Sequence, residues 1–313
     1  MDRNLALEFV RVTESAAIAA ARFIGRGDGK LADLAAVSEM RARFNQVDFN
    51  AMVVIGEGRK DEAPELYVGE KLGTGKGEEF DIAVDPLECT DSVAFGRYNA
   101  ISVIATGPKG SLLCAPDTYM EKIAVGPKAK DVIDLNASVE ENLSQVAKAL
   151  DKPVSEITVM MLDRKRHDEL INKVRAAGAR IRLISDGDVA GAIATCIDES
   201  GVDILMGIGA SAEAVLASTA IRVLGGEMLC RFAPRNDEDE VLIKKMGCVI
   251  SLDQVLNAAD LAKGGNITFT ATGVIDGPLL RGVREKNGMI ITHSVVMRKA
   301  SNTVRYIEAE HRR

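Results

Sequence analysis

From residue 157 onward the chain alternates short apolar runs with helix-forming stretches, and few folds accommodate that pattern. The run 157–162 is followed by a helix from His167 that Gly178 ends. The run 181–184 leads through Asp186-Gly187-Asp188 into another helix. The run 202–206 leads through the loop Gly207-Ile208-Gly209-Ala210-Ser211 into a helix bearing Glu213. Alternating strands and helices imply a parallel sheet, whose ligands gather at the carboxyl ends of its strands. Arg164, Arg166, Asp186, Asp188 and Glu213 all fall at such ends. The Gly207-x-Gly209 pair is a weak dinucleotide cue, because it lacks the third glycine and an acidic residue ending a strand ~20 residues on.

The first half reads differently. Apolar residues at helical spacing fill 5–23, and Gly25 stops them. The loop Gly25-Arg26-Gly27-Asp28-Gly29-Lys30 precedes a second helix over 31–44, with Leu34, Val37, Met40 and Phe44 on one face. Asp33 is expected in the first turn of that helix, where the dipole favours a carboxylate. A buried strand over 52–55 runs into Gly56-Glu57-Gly58, which presents Glu57 from bare backbone, and Asp61, Glu62 and Pro64 follow. Residues 100–105 and 112–115 read as further strands, with Tyr119 in the loop after Pro116. Two helices on a mixed sheet are expected. Ser138-Val139-Glu140-Glu141 is a capping box opening a helix to Leu150. A strand near 228–232, an acidic stretch over 237–240 that reads as a solvated helix start, and a β-rich tail (267–271, 289–297, 303–307) complete the chain. The expected organisation is an N-terminal half, 1–135, and a C-terminal half, 136–313, forming one catalytic unit.

The stretch Asp81-Ile82-Ala83-Val84-Asp85-Pro86-Leu87-Glu88-Cys89-Thr90-Asp91 carries the chemistry. Ile82, Ala83 and Val84 read as the end of a buried strand that Pro86, lacking an amide donor, should stop. Asp85 and Glu88 then flank the break, with Thr90 immediately after. Two carboxylates and a hydroxyl aimed at one point suit a hard cation, Mg²⁺ or Mn²⁺. Like carboxylates repel by about 4 kcal/mol at about 4 Å and an effective dielectric near 20, so a buried cluster of them needs a cation.

Composition narrows the alternatives. A chain of 313 residues, 47% hydrophobic and 27% charged, can bury one large core or two moderate ones. Its net charge of −7 argues against a nucleic-acid partner. Five scattered cysteines without a C-x-x-C pair suit free thiols in a reducing cytoplasm. No apolar run approaches the ~20 residues of a membrane span, and no signal peptide is visible after Asp2 and Arg3, so no membrane partner and a cytoplasmic location are expected. Only His167, His293 and His311 are histidines, which directs attention to the 46 acidic residues.

Taken together the motifs resemble class II fructose-1,6-bisphosphatases, the bacterial type within the lithium-sensitive, metal-dependent phosphatase superfamily. Asp85-Pro86-Leu87-Glu88-Cys89-Thr90 is similar to the superfamily signature D-P-(I/L)-(D/E)-(G/S)-T, with Cys89 in the small-residue slot. The likeness runs from Gly25-Arg26-Gly27-Asp28 through Val54-Ile55-Gly56-Glu57-Gly58, Asp61-Glu62-Ala63-Pro64 and Ala115-Pro116-Asp117 to Ile291-Thr292-His293-Ser294-Val295. The resemblance implies a layered α/β/α/β/α sugar-phosphatase sandwich, with a mixed N-terminal sheet and a more parallel C-terminal one, as a homodimer or homotetramer. It implies removal of the 1-phosphate of fructose 1,6-bisphosphate with Mg²⁺ or Mn²⁺. Implied metal ligands are Asp33, Glu57, Asp85, Glu88 and Glu213. Implied substrate contacts are Glu88, Thr90, Tyr119, Arg164, Arg166, Asp186, Asp188 and Ala210, and Thr90 with Asp61 would position and deprotonate the attacking water.

The chain departs from the family pattern at Gly29, which intervenes before Lys30, at Arg59-Lys60, at residues 209–214, and at Cys89 and Asp91. Sedoheptulose 1,7-bisphosphate, an inositol phosphate, or a sensing role without turnover are the rival readings. Cys89 beside hard-oxygen ligands is expected to make the site sensitive to thiol reagents and Cd²⁺.

Overall fold

Helix α1 (Leu5–Ala21) buries Phe9, Val12, Ala16 and Ala20, a stripe at the spacing that places side chains on one helical face. Helix α2 (Gly29–Phe44) buries Ala32, Ala36, Val37, Met40 and Phe44, whereas Leu34 is 52% exposed. The small alanines, not Leu34, take the inward stripe where α2 lies against α1. Asp28 caps α2, its carboxylate accepting from the amide of Leu31 at 3.0 Å. That start moves Asp33 out of the first turn and into the second, so the dipole does not account for it. Then come β1 (Asn50–Ile55), β2 (Lys71–Leu72), β3 (Glu79–Glu88), α3 (Thr90–Phe95) and β4 (Ala100–Pro108). Strand β3 does not stop at Pro86. Its ladder with β4 jumps from Asp85 opposite Val103 to Glu88 opposite Ile101, so Pro86 sits in a bulge where no amide is required.

The next 150 residues form a second sheet with its own helices. Residues 112–115 are not a strand, and Tyr119 opens β5 (Tyr119–Val125) instead of lying in a loop. The elements that follow are α4 (Val139–Ala149), β6 (Thr158–Leu162), α5 (Asp168–Ala176), β7 (Arg180–Ile184), α6 (Asp188–Ala194), β8 (Ile204–Ala210), α7 (Ser211–Leu224), β9 (Glu227–Phe232), α8 (Asp237–Met246), β10 (Leu256–Asn257) and α9 (Ala258–Leu261). The capping box at Ser138 and Glu141 is present. The sheet order is β10-β9-β5-β8-β6-β7, with β7, β6 and β8 parallel and β5 antiparallel to both β8 and β9. Gly207 to Ala210 are the end of β8, not a loop after it. Helices α4 and α5 cover the face carrying Val159, Met161, Ile204 and Met206. Helix α6 covers the other, where Gly191 touches Met160 and Leu205.

The tail returns to the first sheet as β11 (Thr268–Ile275), β12 (Arg284–Lys286), β13 (Met289–Arg298) and β14 (Thr303–Arg312). Strand β11 pairs with β4, Thr270 opposite Ile104, and completes the order β12-β13-β11-β4-β3-β1-β2, with β14 on β13. The structure is a computed structural model describing residues 5–58, 65–249 and 251–312. It comprises one unit within Met1–Leu112 and Lys263–Arg313 and another of Leu113–Ala262. That division differs from a split at 135/136 because β11 to β14 find their partners in the first sheet. The class is α/β, with two mixed sheets and no barrel among the described residues, consistent with the expected sandwich. Phe9, Phe44 and Phe49 form the aromatic centre of the first unit, with ring centroids 5.5 to 6.4 Å apart. No helix among the described residues is long and apolar enough to cross a membrane.

Candidate active site

In the first unit, strand β1 delivers the backbone into Gly56-Glu57-Gly58. A Cβ on Gly56 would lie 2.0 Å from the carbonyl oxygen of Leu66, so only glycine fits. That carbonyl accepts from the Glu57 amide at 3.0 Å, and the Gly58 carbonyl accepts from Val68 at 3.0 Å. Leu66 is itself held, its amide donating to the Glu70 carboxylate, which also accepts from Arg41 Nε at 2.7 Å. The position of Glu57 is thus set by backbone on both sides. Burial, and then the negative charge of Asp33, push the Glu57 carboxyl up to about 7, and burial raises Asp33 as well. The two acids are an interacting pair. Asp61 lies outside the described residues.

Asp85 sits at the bulge of β3 and accepts from the amide of Leu87 at 3.1 Å, closing an Asx turn. Glu88 is 4% exposed. Thr90 opens α3, and its hydroxyl donates to the Leu87 carbonyl at 3.2 Å. Cys89, at the N-cap, has φ of 75°. This left-handed conformation costs a side chain about 1–2 kcal/mol, which is why a glycine suits the slot. Cys89 is 4% exposed and receives the Asn99 amide at 3.8 Å. That burial denies reagents the access which thiol sensitivity requires, and the packing role is the one the structure supports. Gly25 and Gly27 donate to the carbonyls of Val93 and Ala94 at 2.9 and 2.8 Å, satisfying the C-terminal end of α3. A Cβ on Gly29 would fall 2.9 Å from the Thr90 methyl, so the space a longer residue needs there is taken. Among the described residues, no three Asp, Glu, His or Cys side chains stand close enough to hold an ion in this arrangement.

In the second unit the peptide of Ile208 is the fixed point. Its amide donates to His167 Nε2 at 2.7 Å, which makes Nδ1 the protonated nitrogen, facing the Leu162 carbonyl at 2.8 Å. Its carbonyl accepts from Arg166 Nε and Nη2 at 3.0 and 2.8 Å. Burial lowers the pKa of His167 and keeps it neutral in this role. The Arg166 guanidinium lies 4.6 Å from the centre of the Tyr119 ring, with Arg235 5.3 Å from the same ring. Arg164 is exposed and donates to the carbonyl of Asp163. Arg166 and His167 also line a cavity of about 360 Å³ with Glu121, Ser138, Glu169 and Lys173.

Asp186 and Asp188 bracket Gly187, whose φ of 90° turns the chain into α6. Ala210 is the N-cap of α7, and Glu213 falls in its first turn. Between Asp188 and Glu213 stands Lys122, 2.8 Å from the first carboxylate and 3.3 Å from the second. Burial works against the Lys122 charge, but the two carboxylates outweigh it and raise its pKa. Burial, then Asp188, push Glu213 up to about 7 against the pull of Lys122.

Lys122 and Arg235 were not anticipated. Lys122 could have been found from period-2 alternation, since Met120 and Ala124 beside it are wholly buried. Arg235 belongs to a network that exempts Asp239 from the solvated reading of 237–240, which otherwise stands: the stretch opens α8, with Asp237 and Glu238 exposed. Asp239 is 6% exposed, accepts from the Thr118 hydroxyl at 2.7 Å and pairs with Arg235 at 2.8 Å, which holds its pKa far below the usual range.

The family model described as "Bacterial fructose-1,6-bisphosphatase, glpX-encoded" matches residues 3–311. Fructose-1,6-bisphosphatase 1 class 2 of Escherichia coli K12 is 47% identical, over 99% of this chain and 96% of the relative. The class 2 fructose-1,6-bisphosphatase of Haemophilus influenzae is 46% identical over 99% of this chain and 97% of its own. Among solved structures, an extragenic suppressor from Pyrococcus furiosus matches 60% of this chain and 68% of its own at 15% identity and a TM-score of 0.32.

Proposed function

We propose that this chain, which belongs to the bacterial fructose-1,6-bisphosphatase family, hydrolyses the 1-phosphate of D-fructose 1,6-bisphosphate to fructose 6-phosphate and phosphate, with Mg²⁺ or Mn²⁺ as the required cation. The family is one of metal-dependent phosphatases. The observation that carries the metal reading is the Asp33–Glu57 pair: burial raises both carboxyls, and the charge of Asp33 adds to the rise of Glu57. A divalent cation offsets that rise, and an all-oxygen donor set suits Mg²⁺ or Mn²⁺. Asp33, Glu57, Asp85 and Glu88 would hold such ions, and the family resemblance adds Glu213. A cation so held acidifies a water and offsets charge on the phosphoryl oxygens and the leaving alkoxide.

The chain's own groups would do the rest. The Thr90 hydroxyl would turn from the Leu87 carbonyl to orient the attacking water, and Asp61 would take its proton. Arg164 and Arg166 would bind the 6-phosphate, for which the guanidinium fork is suited. Tyr119 would keep Arg166 flat, and Asp186 and Asp188 would accept sugar hydroxyls near Ala210. A homodimer or homotetramer in the cytoplasm belongs to the same proposal.

Phosphate release from fructose 1,6-bisphosphate, sedoheptulose 1,7-bisphosphate and an inositol monophosphate, each with and without Mn²⁺, tests this reading. Cation-dependent release, fastest from fructose 1,6-bisphosphate, is expected. Release without a cation, or none from any substrate, would overturn it. Arg166→Ala should raise KM for the bisphosphate at least ~10-fold, the loss of one charge-assisted contact, and leave a monophosphate within ~2-fold. Equal effects on both would remove Arg166 from the 6-phosphate.

Glu57 also gives a pH dependence of defined sign. A carboxyl protonated in the fold up to about 7 and ionised above 4.5 when unfolded makes the native state bind more protons in that window. Stability of the cation-free protein therefore falls as pH rises through it. The melting temperature should drop between about pH 5.5 and pH 7.5, and saturating Mn²⁺ should abolish the drop, because the cation replaces the proton. A drop of the same size with Mn²⁺ present would detach Glu57 from the cation.

A further inference from the structure

Strand β5 places Met120, Lys122 and Ala124 on one face, and Lys122 is 2% exposed there. A lysine this deep requires carboxylate partners. Asp188 Oδ2 and Glu213 Oε2 supply them from the starts of α6 and α7. Room for the contact comes from Gly209, where a Cβ would fall 2.1 Å from Asp188 Oδ2 and 2.9 Å from Lys122 Nζ. The group opposite Lys122 on β9 is Cys230, whose thiol burial pushes up to about 12 and so keeps neutral. Asp188 Oδ1 is buried with no hydrogen-bond partner among the described residues. One buried ammonium therefore stands against two carboxylates, Asp188 buried and Glu213 partly exposed.

Without the ammonium, Asp188 and Glu213 would be left as two facing carboxylates, hard-oxygen donors of the kind a divalent cation takes. We infer that Lys122 is a positioning residue, a built-in cation that occupies Asp188 and keeps it a hydrogen-bond acceptor for substrate, not a metal ligand. Glu213, at the longer of the two contacts, remains the carboxylate that can turn to a metal. The inference rests on the phosphatase reading only for the roles of Asp188 and Glu213. The ammonium claims the carboxylate without contributing to turnover directly, so its loss shows in metal count and substrate binding before it shows in chemistry.

Lys122→Gln keeps a donor and removes the charge, while Lys122→Arg keeps the charge. Mn²⁺ bound per chain is counted without substrate, from the electron paramagnetic resonance signal of the free ion. Lys122→Gln should bind one Mn²⁺ more than wild type and raise KM for fructose 1,6-bisphosphate at least ~10-fold, with a smaller loss in kcat. Lys122→Arg should bring both readouts back toward wild type. Wild-type stoichiometry and KM in Lys122→Gln would overturn the inference. So would equal losses in both variants at unchanged stoichiometry, which is a packing role. If Lys122→Gln does not fold, wild type decides: the ¹⁵N signal of the Lys122 ammonium should keep its shift and slow exchange at saturating Mg²⁺. Loss of that signal would mean that the ion displaces the lysine, and the inference fails. Absence of phosphate release by wild type would count against the proposed function alone, because the Mn²⁺ count does not depend on turnover.

Discussion

Asp85→Asn should lower phosphate release from fructose 1,6-bisphosphate at least about 10³-fold at saturating Mn²⁺ while leaving the fold intact. The substitution separates charge from structure. Asp85 Oδ1 accepts from the Leu87 amide at 3.1 Å, and the amide oxygen of asparagine can keep that bond. The turn that launches α3, and with it the Thr90 hydroxyl, is therefore retained. What goes is one negative charge from the proposed set that, together with the doubly charged phosphate, would balance divalent ions. Since phosphate monoesters are among the slowest substrates to hydrolyse, little activity survives a weakened cation. The checks are a phosphate assay, far-UV circular dichroism, and a melting temperature within a few degrees of wild type without metal. A variant within ~10-fold of wild-type activity would take Asp85 out of the ligand set.

What the sequence showed, and what it hid, divides along the line between local and distant contacts. The alternation from residue 157 was legible because each βα unit carries its own period, and β6, β7 and β8 lie parallel as that pattern requires. Glu57 was legible because flanking glycines mark bare backbone. Pro86 misled, since whether a proline ends a strand depends on the register of the partner, and β4 skips the two residues at issue. Tyr119 misled for a similar reason: Pro116 signals a turn, but β5 exists because 204–210 and 227–232 arrive on either side of it. Leu34 shares a helical spacing with Val37, Met40 and Phe44 but lies outside the buried stripe, where Ala32 and Ala36 meet α1 instead. Lys122 carries no local signal of its role: a charge at an inward strand position demands partners, and Asp188 and Glu213 are 66 and 91 residues away. Asp239 is half such a case: Arg235 is only 4 residues away, but Thr118 is 121.

Gly56→Ala should cost about 2–3 kcal/mol of stability and about 10²-fold in turnover, although it adds one methyl to a residue that touches no substrate. The added Cβ would meet the Leu66 carbonyl oxygen at 2.0 Å and Val53 Cγ1 at 2.7 Å. Leu66 cannot yield cheaply. It is fully buried, its amide is bonded to Glu70, and Glu70 is held by Arg41. The strain must therefore fall on the other partner, the 56–58 backbone, which loses the Glu57 amide bond to Leu66. Glu57 then moves by something like 1 Å, enough for a hundredfold loss if it holds an ion as proposed. Gly265→Ala is the matched control, because nothing lies within 4 Å of its Cβ position and its backbone is not left-handed. There the same methyl should be neutral, or stabilise by up to about 1 kcal/mol through the unfolded chain. If Gly56→Ala matched Gly265→Ala in both melting temperature and phosphate release, the Leu66 carbonyl would not be what holds Glu57 in place.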